Sequence, residues 1–285
     1  MADMTEQIDF FAMAEKNAQR LESEFAAIVA DHRRQAAKIK TFANWIETEI
    51  SVSININFKV ITSLLRGRKY QNAHERAEEE SRLTGRDKEE CLRHMLGPYY
   101  EKRMEFERPF VQGGCFRYAA LNAGGLGLSK FGPFCSVLKK EFQSNLRAVC
   151  LPGDSLTVCF SDGKFDLSKT QDCSGPFSHR GCFVGKYRHQ DAVTKKKKDW
   201  SGLLVSHGGK EFFEVIFLDE VSIDFISCIR HSKDVDDENL NHLTSRIVRN
   251  KPKSRSEINK TQANEYSLIT LLSALTEKKI NMELI

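Results

Sequence analysis

The carboxylate of Glu214 is the side chain whose setting points most clearly to chemistry. It lies in the apolar, strand-forming run GKEFFEVIFLDEVSIDFI, residues 209–226. A charge in such a run costs free energy unless a partner or a function compensates for it. One interpretation is an edge strand that uses the charge to avoid pairing with other chains. The other is a catalytic carboxylate, supported by two earlier groups of residues.

The first group surrounds Arg117 in CFRYAALNAGGLGLSKFGPFCSVLK, residues 115–139. A guanidinium fork matches phosphate geometry, and the glycines that follow allow a backbone to approach a ligand closely. The alternative is an edge-strand arginine that faces water. The glycine spacing does not follow the GxGxxG pattern before a helix, which disfavours a Rossmann site.

The second group lies in RAVCLPGDSLTVCF, residues 147–160. Pro152-Gly153-Asp154 predicts a turn, and alternation then places Ser155 and Thr157 on one face of the next strand. Two hydroxyls on one face are able to orient a carboxylate or a ribose. They are equally typical of an ordinary strand surface.

The elements that position these residues fall into three regions. Residues 1–108 have helical spacing of apolar residues and predict a helical region. The stretch SVSININF (51–58) alternates like a strand, but an apolar stripe shared with its neighbours leads us to predict a helix. Residues 109–231 predict a compact β domain. The predicted strands are 114–122, 133–139, 147–151, 156–160, 181–186, 202–206 and 211–218.

The last region, 232–285, is predicted to be a helical tail that packs on the core, because NEYSLITLLSALTEKK is amphipathic. The first ten residues lack the features of a signal peptide, and the chain lacks an apolar run of about eighteen residues. We therefore expect a cytoplasmic protein without membrane contact. The net charge of +4 gives no global nucleic-acid signature.

The eight cysteines are expected to be reduced, because they form no CxxC pairs and most lie in apolar settings. A zinc site formed by Cys173, Cys182, His179 and His189 is the alternative, but its spacing fits no standard zinc motif. We predict no metal.

In their order along the chain, FRYAALNAGG…FGPFCSVLK, RAVCLPGDSL and FFEVIFLDEVSIDFI resemble the Arg–Ser–Glu class of the ADP-ribosyltransferase superfamily. They are most similar to a little-characterised group of bacterial ART-like domains, and the resemblance covers about residues 110–230. It implies an α+β chain with a split β-sandwich core and NAD+ as substrate.

The resemblance also implies roles for individual residues. Arg117 would bind the phosphates and adjacent ribose of NAD+, and Ser155 or Thr157 would position Glu214. Glu214 would stabilise the cationic sugar as nicotinamide leaves. Main-chain groups near Tyr118 or Ala119 would bind the carboxamide. The aromatic wall would come from Phe160, Phe165, Phe177 or Phe183.

Members that modify arginine place Glu or Gln two residues before the catalytic glutamate, and this chain has Phe212 there. We therefore expect another acceptor, either nucleic acid (RNA or DNA) or protein. The loop KKKKDWSGLLVSHGGKE would contact it through Lys196, Lys197, Trp200 and His207.

By analogy with the family, the resemblance implies an intracellular toxin of a toxin–antitoxin or phage-defence system. An antitoxin would then bind the helical region or the NAD+ cleft. Two other functions remain open. One is an NAD glycohydrolase, in which water is the acceptor. The other is a non-enzymatic nucleic-acid-binding protein, in which Glu214 is an edge charge.

Overall fold

A computed structural model describes residues 7–206, 209–231, 275 and 280–284, which combine helices with one large sheet. The helices are α1 (Phe10–Glu15), α2 (Ala18–Asp31), α3 (Ala36–Glu49), α4 (Phe58–Leu65), α5 (Ala73–Thr84), α6 (Lys88–Leu96), α7 (Tyr100–Glu107), α8 (Lys140–Ser144), α9 (Ser155–Val158), α10 (Leu167–Cys173) and α11 (Arg180–Thr194). The strands are β1 (Ser51–Ile56), β2 (Arg117–Asn122), β3 (Phe134–Leu138), β4 (Ala148–Leu151), β5 (Phe160–Ser161), β6 (Lys164–Phe165), β7 (Gly175–Pro176), β8 (Glu214–Phe217), β9 (Ile226–His231) and β10 (Asn281–Leu284).

Among the described strands, eight form one sheet in the order β10-β9-β3-β1-β2-β8-β4-β7, and β5 and β6 form a separate ribbon. Neighbouring strands of the sheet are antiparallel, except for the parallel pair β9 and β10. The prediction of an α+β chain with a mainly helical N-terminal part is confirmed at this level.

The stretch SVSININF forms strand β1, so the predicted helix is wrong. β1 lies between β2 and β3 in the middle of the sheet. Its alternation is the reason: Val52, Ile54 and Ile56 enter the main hydrophobic core, while Ser53 and Asn55 line a cavity on the other side. The boundary at residue 108 therefore does not separate a helical unit from a β unit.

One side of the sheet, here called the closed face, is formed by the core-facing residues of β1 together with Ala119, Leu121, Val215 and Phe217. Helices α3 and α11 cover it, together with Trp200. The prediction of a strand over 181–186 is wrong, because these residues belong to α11. Gly181 and Gly185 allow this helix to pack closely: a Cβ atom would lie 2.6 Å from the carbonyl oxygen of Ala43 at Gly181 and 2.5 Å from the Phe25 ring at Gly185.

The opposite side, here called the cavity face, presents the alternate residues of the same strands. Tyr118, Ala120 and Glu214 belong to it, because Tyr118 pairs with Ile216 and Ala120 pairs with Glu214. Helices α1 and α7 cover one part of this face with an aromatic cluster that contains Phe10, Phe106, Phe110 and Phe116. The remaining part is open and forms the cavity.

Three further predictions are corrected or fall outside the described residues. Residues 155–158 form helix α9 where a strand over 156–160 was predicted, and 202–206 contribute only a bridge between Val205 and Phe212. Most of the predicted tail helix lies outside the described residues, apart from the helical, buried Leu275. β10 adds a strand near the end of the region predicted as helical. None of the described helices has the length and apolar character needed to cross a membrane.

Candidate functional site

Glu214 is the first residue of β8, and it pairs with Ala120 of β2 on one side and Leu151 of β4 on the other. Since β8 has neighbours on both sides, the interpretation of Glu214 as an edge charge is wrong. Its side chain is only 5% exposed. The carboxylate therefore occupies the middle of the sheet, on the cavity face, where a charge is expensive without a use or a partner.

The surroundings of Glu214 hold its proton more tightly than water would. Burial, with a smaller contribution from the nearby Asp154, raises its pKa to about 7 against the lowering influence of Arg103 and Ser155. The backbone N–H of Ser155 donates to Oε2 of Glu214 at 2.9 Å. The carboxyl group is thus poised between its two protonation states near neutral pH, which is typical of functional sites.

Ser155 reaches Glu214 because it begins a short helix directly after the Pro152-Gly153 turn. The side chain of Asp154 caps α9 by accepting from the N–H of Leu156 at 3.0 Å. This cap is the local reason why the segment is helical. Thr157, the alternative hydroxyl, is exposed and does not line the cavity.

A chain of polar contacts leads away from Glu214 across the cavity face. The guanidinium of Arg103, on α7, lies 3.8 Å from the centre of the Tyr118 ring. The Tyr118 hydroxyl donates to Oε1 of Glu107 at 2.6 Å, and Oε2 of Glu107 lies 2.7 Å from Nε2 of His74. Burial raises the pKa of Tyr118 well above its usual value, so the phenol remains protonated.

Arg117 is the first residue of β2. It lies on the opposite side of the strand from Tyr118, because it pairs with Phe217 of the closed face. Its Nη1 donates to the carbonyl oxygens of Cys115 at 3.1 Å and Leu218 at 2.9 Å. Its Nη2 forms a 2.7 Å ion pair with Oε1 of Glu75 on α5. The side chain is 3% exposed and lines the cavity wall while these three contacts hold it.

The cavity that these residues surround has a volume of about 600 Å³. This size is ordinary for a small-molecule site. Its lining includes Arg103, Glu107, Tyr118, Asp154 and Glu214, together with residues of α5 and α6. Ala119 lines it as well, although its side chain belongs to the closed face.

The aromatic residues proposed for the nicotinamide wall lie elsewhere. Phe160 and Phe165 pack in the aromatic cluster around α1 and α7, and Phe177 and Phe183 lie in the main core. None of the four lines the cavity among the described residues. Tyr118, Phe116, Tyr70, Tyr99 and Phe131 are the aromatic residues that do line it.

The residues predicted to contact an acceptor differ in their exposure to solvent. Lys196 and Lys197 are exposed. Trp200 is 2% exposed and packs against Phe42 and Trp45, so the prediction that it contacts an acceptor is wrong. Its indole N–H donates to the carbonyl oxygen of Ala192 at 3.0 Å. His207 lies outside the described residues.

The eight cysteines are free thiols. No group of three or more His, Cys, Asp or Glu residues in the described ranges has metal-site geometry. His179 contacts Ser178 and Glu22, and His189 contacts the carbonyl oxygens of its own helix. The zinc alternative therefore has no geometric support in this part of the chain.

Three residues of the site were missed from the sequence: His74, Arg103 and Glu107. They lie in the segment that we predicted to be a separate helical region. Arg103 and Glu107 are four residues apart, which places them on one side of α7. That spacing is equally common in solvent-exposed ion pairs, so the sequence carries no signal that singles them out.

No protein-family model matches the chain, and a search of curated proteins finds no significant match.

Proposed function

We propose that the chain is a mono-ADP-ribosyltransferase that moves ADP-ribose from NAD+ to a macromolecular acceptor other than arginine. One observation carries the proposal: Glu214 is a buried carboxylate on the wall of the cavity, with the N–H of Ser155 on one of its oxygens. The resemblance of three ordered sequence motifs to the Arg–Ser–Glu class supports it. In this proposal the sheet is the ART-like core.

The cavity offers groups that fit NAD+. Its volume of about 600 Å³ suits a small molecule, and its wall combines a carboxylate with cationic and aromatic side chains. Nη1 of Arg103 is buried and has no hydrogen-bond partner among the described residues. An anionic ligand would supply that partner.

In this reaction NAD+ supplies a ribosyl carbon that gains positive charge as nicotinamide departs. The role of Glu214 is to place a negative charge at that position in a site of low dielectric constant, where its effect is larger than in water. Ser155 holds Oε2, and we assign Oε1 to the ligand. Holding the carboxylate in advance avoids reorganisation during the reaction.

The acceptor is proposed to bind near the exposed Lys196 and Lys197, which could contact nucleic acid or an acidic protein surface. Phe212 is buried against Ala120 and Leu128 beside the cavity. It offers no hydrogen-bonding group to a guanidinium, which supports an acceptor other than arginine.

The test is to incubate the protein with NAD+ labelled in its adenylate part and with a cell lysate, then to digest separately with nuclease and protease. We expect label on a macromolecule, and the digestion that removes the label identifies the acceptor class. Glu214→Gln should lower the transfer rate by about 10²–10³-fold, because it removes the charge and keeps the shape.

Glu220→Gln is the matched control, since Glu220 is exposed and pairs with Lys69 outside the cavity. It should retain the wild-type rate. NAD+ consumption without labelled macromolecule would replace the proposal by a glycohydrolase. A wild-type protein that leaves NAD+ intact would overturn both.

A further inference from the structure

Arg103 and Arg117 both line the cavity, and they differ in whether the terminal nitrogens of their guanidinium groups are already used. In Arg117 only Nε is buried without a partner among the described residues. Arg117 donates to two carbonyl oxygens and to Glu75, so a phosphate would have to displace an existing ion pair. Asn72 strengthens this arrangement by donating to the carbonyl oxygens of Gly114 and Phe116, just before β2. These contacts are typical of a structural tie between β2 and helix α5.

In Arg103 the unused donor is a terminal nitrogen. Its guanidinium stacks on Tyr118, and its Nη1 is buried without a hydrogen-bond partner in the described part of the chain. A buried donor without a partner is destabilising, and native proteins rarely retain one without a reason. The other cations on the cavity wall, Arg76 and Lys130, are exposed to solvent, where water satisfies their donors.

The guanidinium of Arg103 remains protonated and positively charged in this environment. Burial alone would lower its pKa, but the neighbouring Tyr118, Glu214 and Glu107 outweigh burial and raise it. Glu107 already uses both oxygens, one with Tyr118 and one with His74. Neither Glu107 nor Glu214 forms an ion pair with Arg103 within 4.0 Å in the described residues, so its positive charge is available to a ligand.

We propose that Arg103, rather than Arg117, binds the phosphate groups of the ligand in this cavity, next to Glu214. The inference rests on the proposed function for the identity of the ligand as a dinucleotide. Its physical basis is the planar guanidinium fork, which can form two parallel hydrogen bonds with one phosphate. Tyr118 packs against the fork, and Arg103 is one of the residues that line the cavity.

The test measures the binding of inorganic pyrophosphate by titration calorimetry, which does not depend on turnover of NAD+. Arg103→Met should weaken binding at least tenfold, because the cationic fork is lost. Arg103→Lys keeps a charge without the fork and should weaken it at least threefold. Circular dichroism shows whether the methionine variant folds. If it does not, Arg103→Lys still tests the assignment.

Arg93→Met is the matched control. Arg93 also stacks on a tyrosine, with 4.1 Å between its guanidinium and the Tyr100 ring, but it lies outside the cavity wall. It should bind pyrophosphate like the wild type. A folded Arg103→Met or Arg103→Lys variant with wild-type affinity would overturn the assignment, and so would a wild-type protein that does not bind pyrophosphate.

The outcome separates this inference from the proposed function. Loss of pyrophosphate binding in the Arg103 variants, together with a wild type that leaves NAD+ intact, would retain the anion site and remove the transferase. Transfer activity in the wild type, with an unchanged KM for NAD+ in Arg103→Lys, would retain the transferase and remove Arg103 as its phosphate ligand.

Discussion

The two faces of strands β2 and β8 are built from alternating residues of the same short segments, yet their environments are opposites. On the closed face, Ala119, Val215 and Phe217 are buried by helices and by Trp200, whose polar N–H has a backbone partner. On the cavity face, Tyr118 and Glu214 adjoin a cavity of about 600 Å³. Helices cover the strand residues of the closed face, whereas those of the cavity face adjoin open space.

The comparison of the two faces indicates which side of the sheet stabilises the fold and which side is the candidate functional site. The closed face largely follows the rules of a packed core, in which most buried polar atoms are paired. Its exceptions are Ser136 Oγ and Arg117 Nε, which are buried without a partner among the described residues. The cavity face has a carboxylate with a raised pKa and a guanidinium nitrogen that has no partner among the described residues. Departures from the core rules that have no internal compensation are expected at functional sites.

The largest expected effect is on the closed face. Trp200→Ala would remove the indole that packs against Phe42 and Trp45, and the loss should be about 3–5 kcal/mol of unfolding free energy. Urea unfolding measures it. Pyrophosphate affinity, measured where the variant remains folded, should be unchanged. A large loss of affinity without a loss of stability would contradict the division between the two faces.

On the cavity face, replacing Glu214 should alter how stability depends on pH. Its pKa is raised from 4.5 to about 7, so the folded state binds the proton more tightly than the unfolded state. The stability that this provides is complete below about pH 4.5 and is lost as pH rises to about 7. The loss amounts to roughly 3 kcal/mol in the wild type.

Glu214→Gln should remove this decline, and urea unfolding at several pH values between 4.5 and 8 would show it. The glutamine variant should therefore gain stability relative to the wild type as pH rises. Glu220→Gln, which alters an exposed carboxylate, should keep the decline. Parallel curves for the wild type and Glu214→Gln would show that the pKa of Glu214 is not raised in the folded protein.

A smaller effect is expected from Tyr118→Phe, which keeps the ring under Arg103 and removes the hydroxyl that donates to Glu107. A buried hydrogen bond to a carboxylate contributes about 1.5–3 kcal/mol, and His74 still occupies the other oxygen. Thermal or urea unfolding measures the loss. If stability is unchanged, the polar chain from Tyr118 to His74 does not support the cavity face.

The sequence predicted those parts of the fold in which local pattern and tertiary structure agree. Strands β2, β3, β4 and β8 were located from apolar runs between turn signals, and the helical character of the N-terminal part was also predicted. β1 was missed because Ile46, Ile50 and Ile54 also fit a helical stripe. Alternation alone could not show that β1 would lie between two other strands.

The errors in the site have a similar origin. Helix α11 was mistaken for a strand over 181–186 because this stretch lies in a region rich in Gly, Phe, Val and Cys. In the structure Gly181 and Gly185 instead allow close contact with α3 and α2. Trp200 looked like an exposed recognition residue, since it follows four lysines in the sequence. Glu214 could be identified from its apolar setting. Arg103 could not, because its proposed role depends on the burial of Nη1 and on its having no partner among the described residues.

The final prediction concerns the activity that Glu214 is proposed to support. Only the ionised carboxylate can stabilise a cationic sugar, so activity should rise through the pH range in which the folded protein loses stability. With a pKa of about 7, kcat/KM for NAD+ should rise about tenfold between pH 6 and pH 8. Initial rates at constant ionic strength measure it. A value of kcat/KM that does not change over this range would mean either that the pKa of Glu214 lies outside it or that the reaction does not use its charge. The pH dependence of unfolding in Glu214→Gln distinguishes these two explanations.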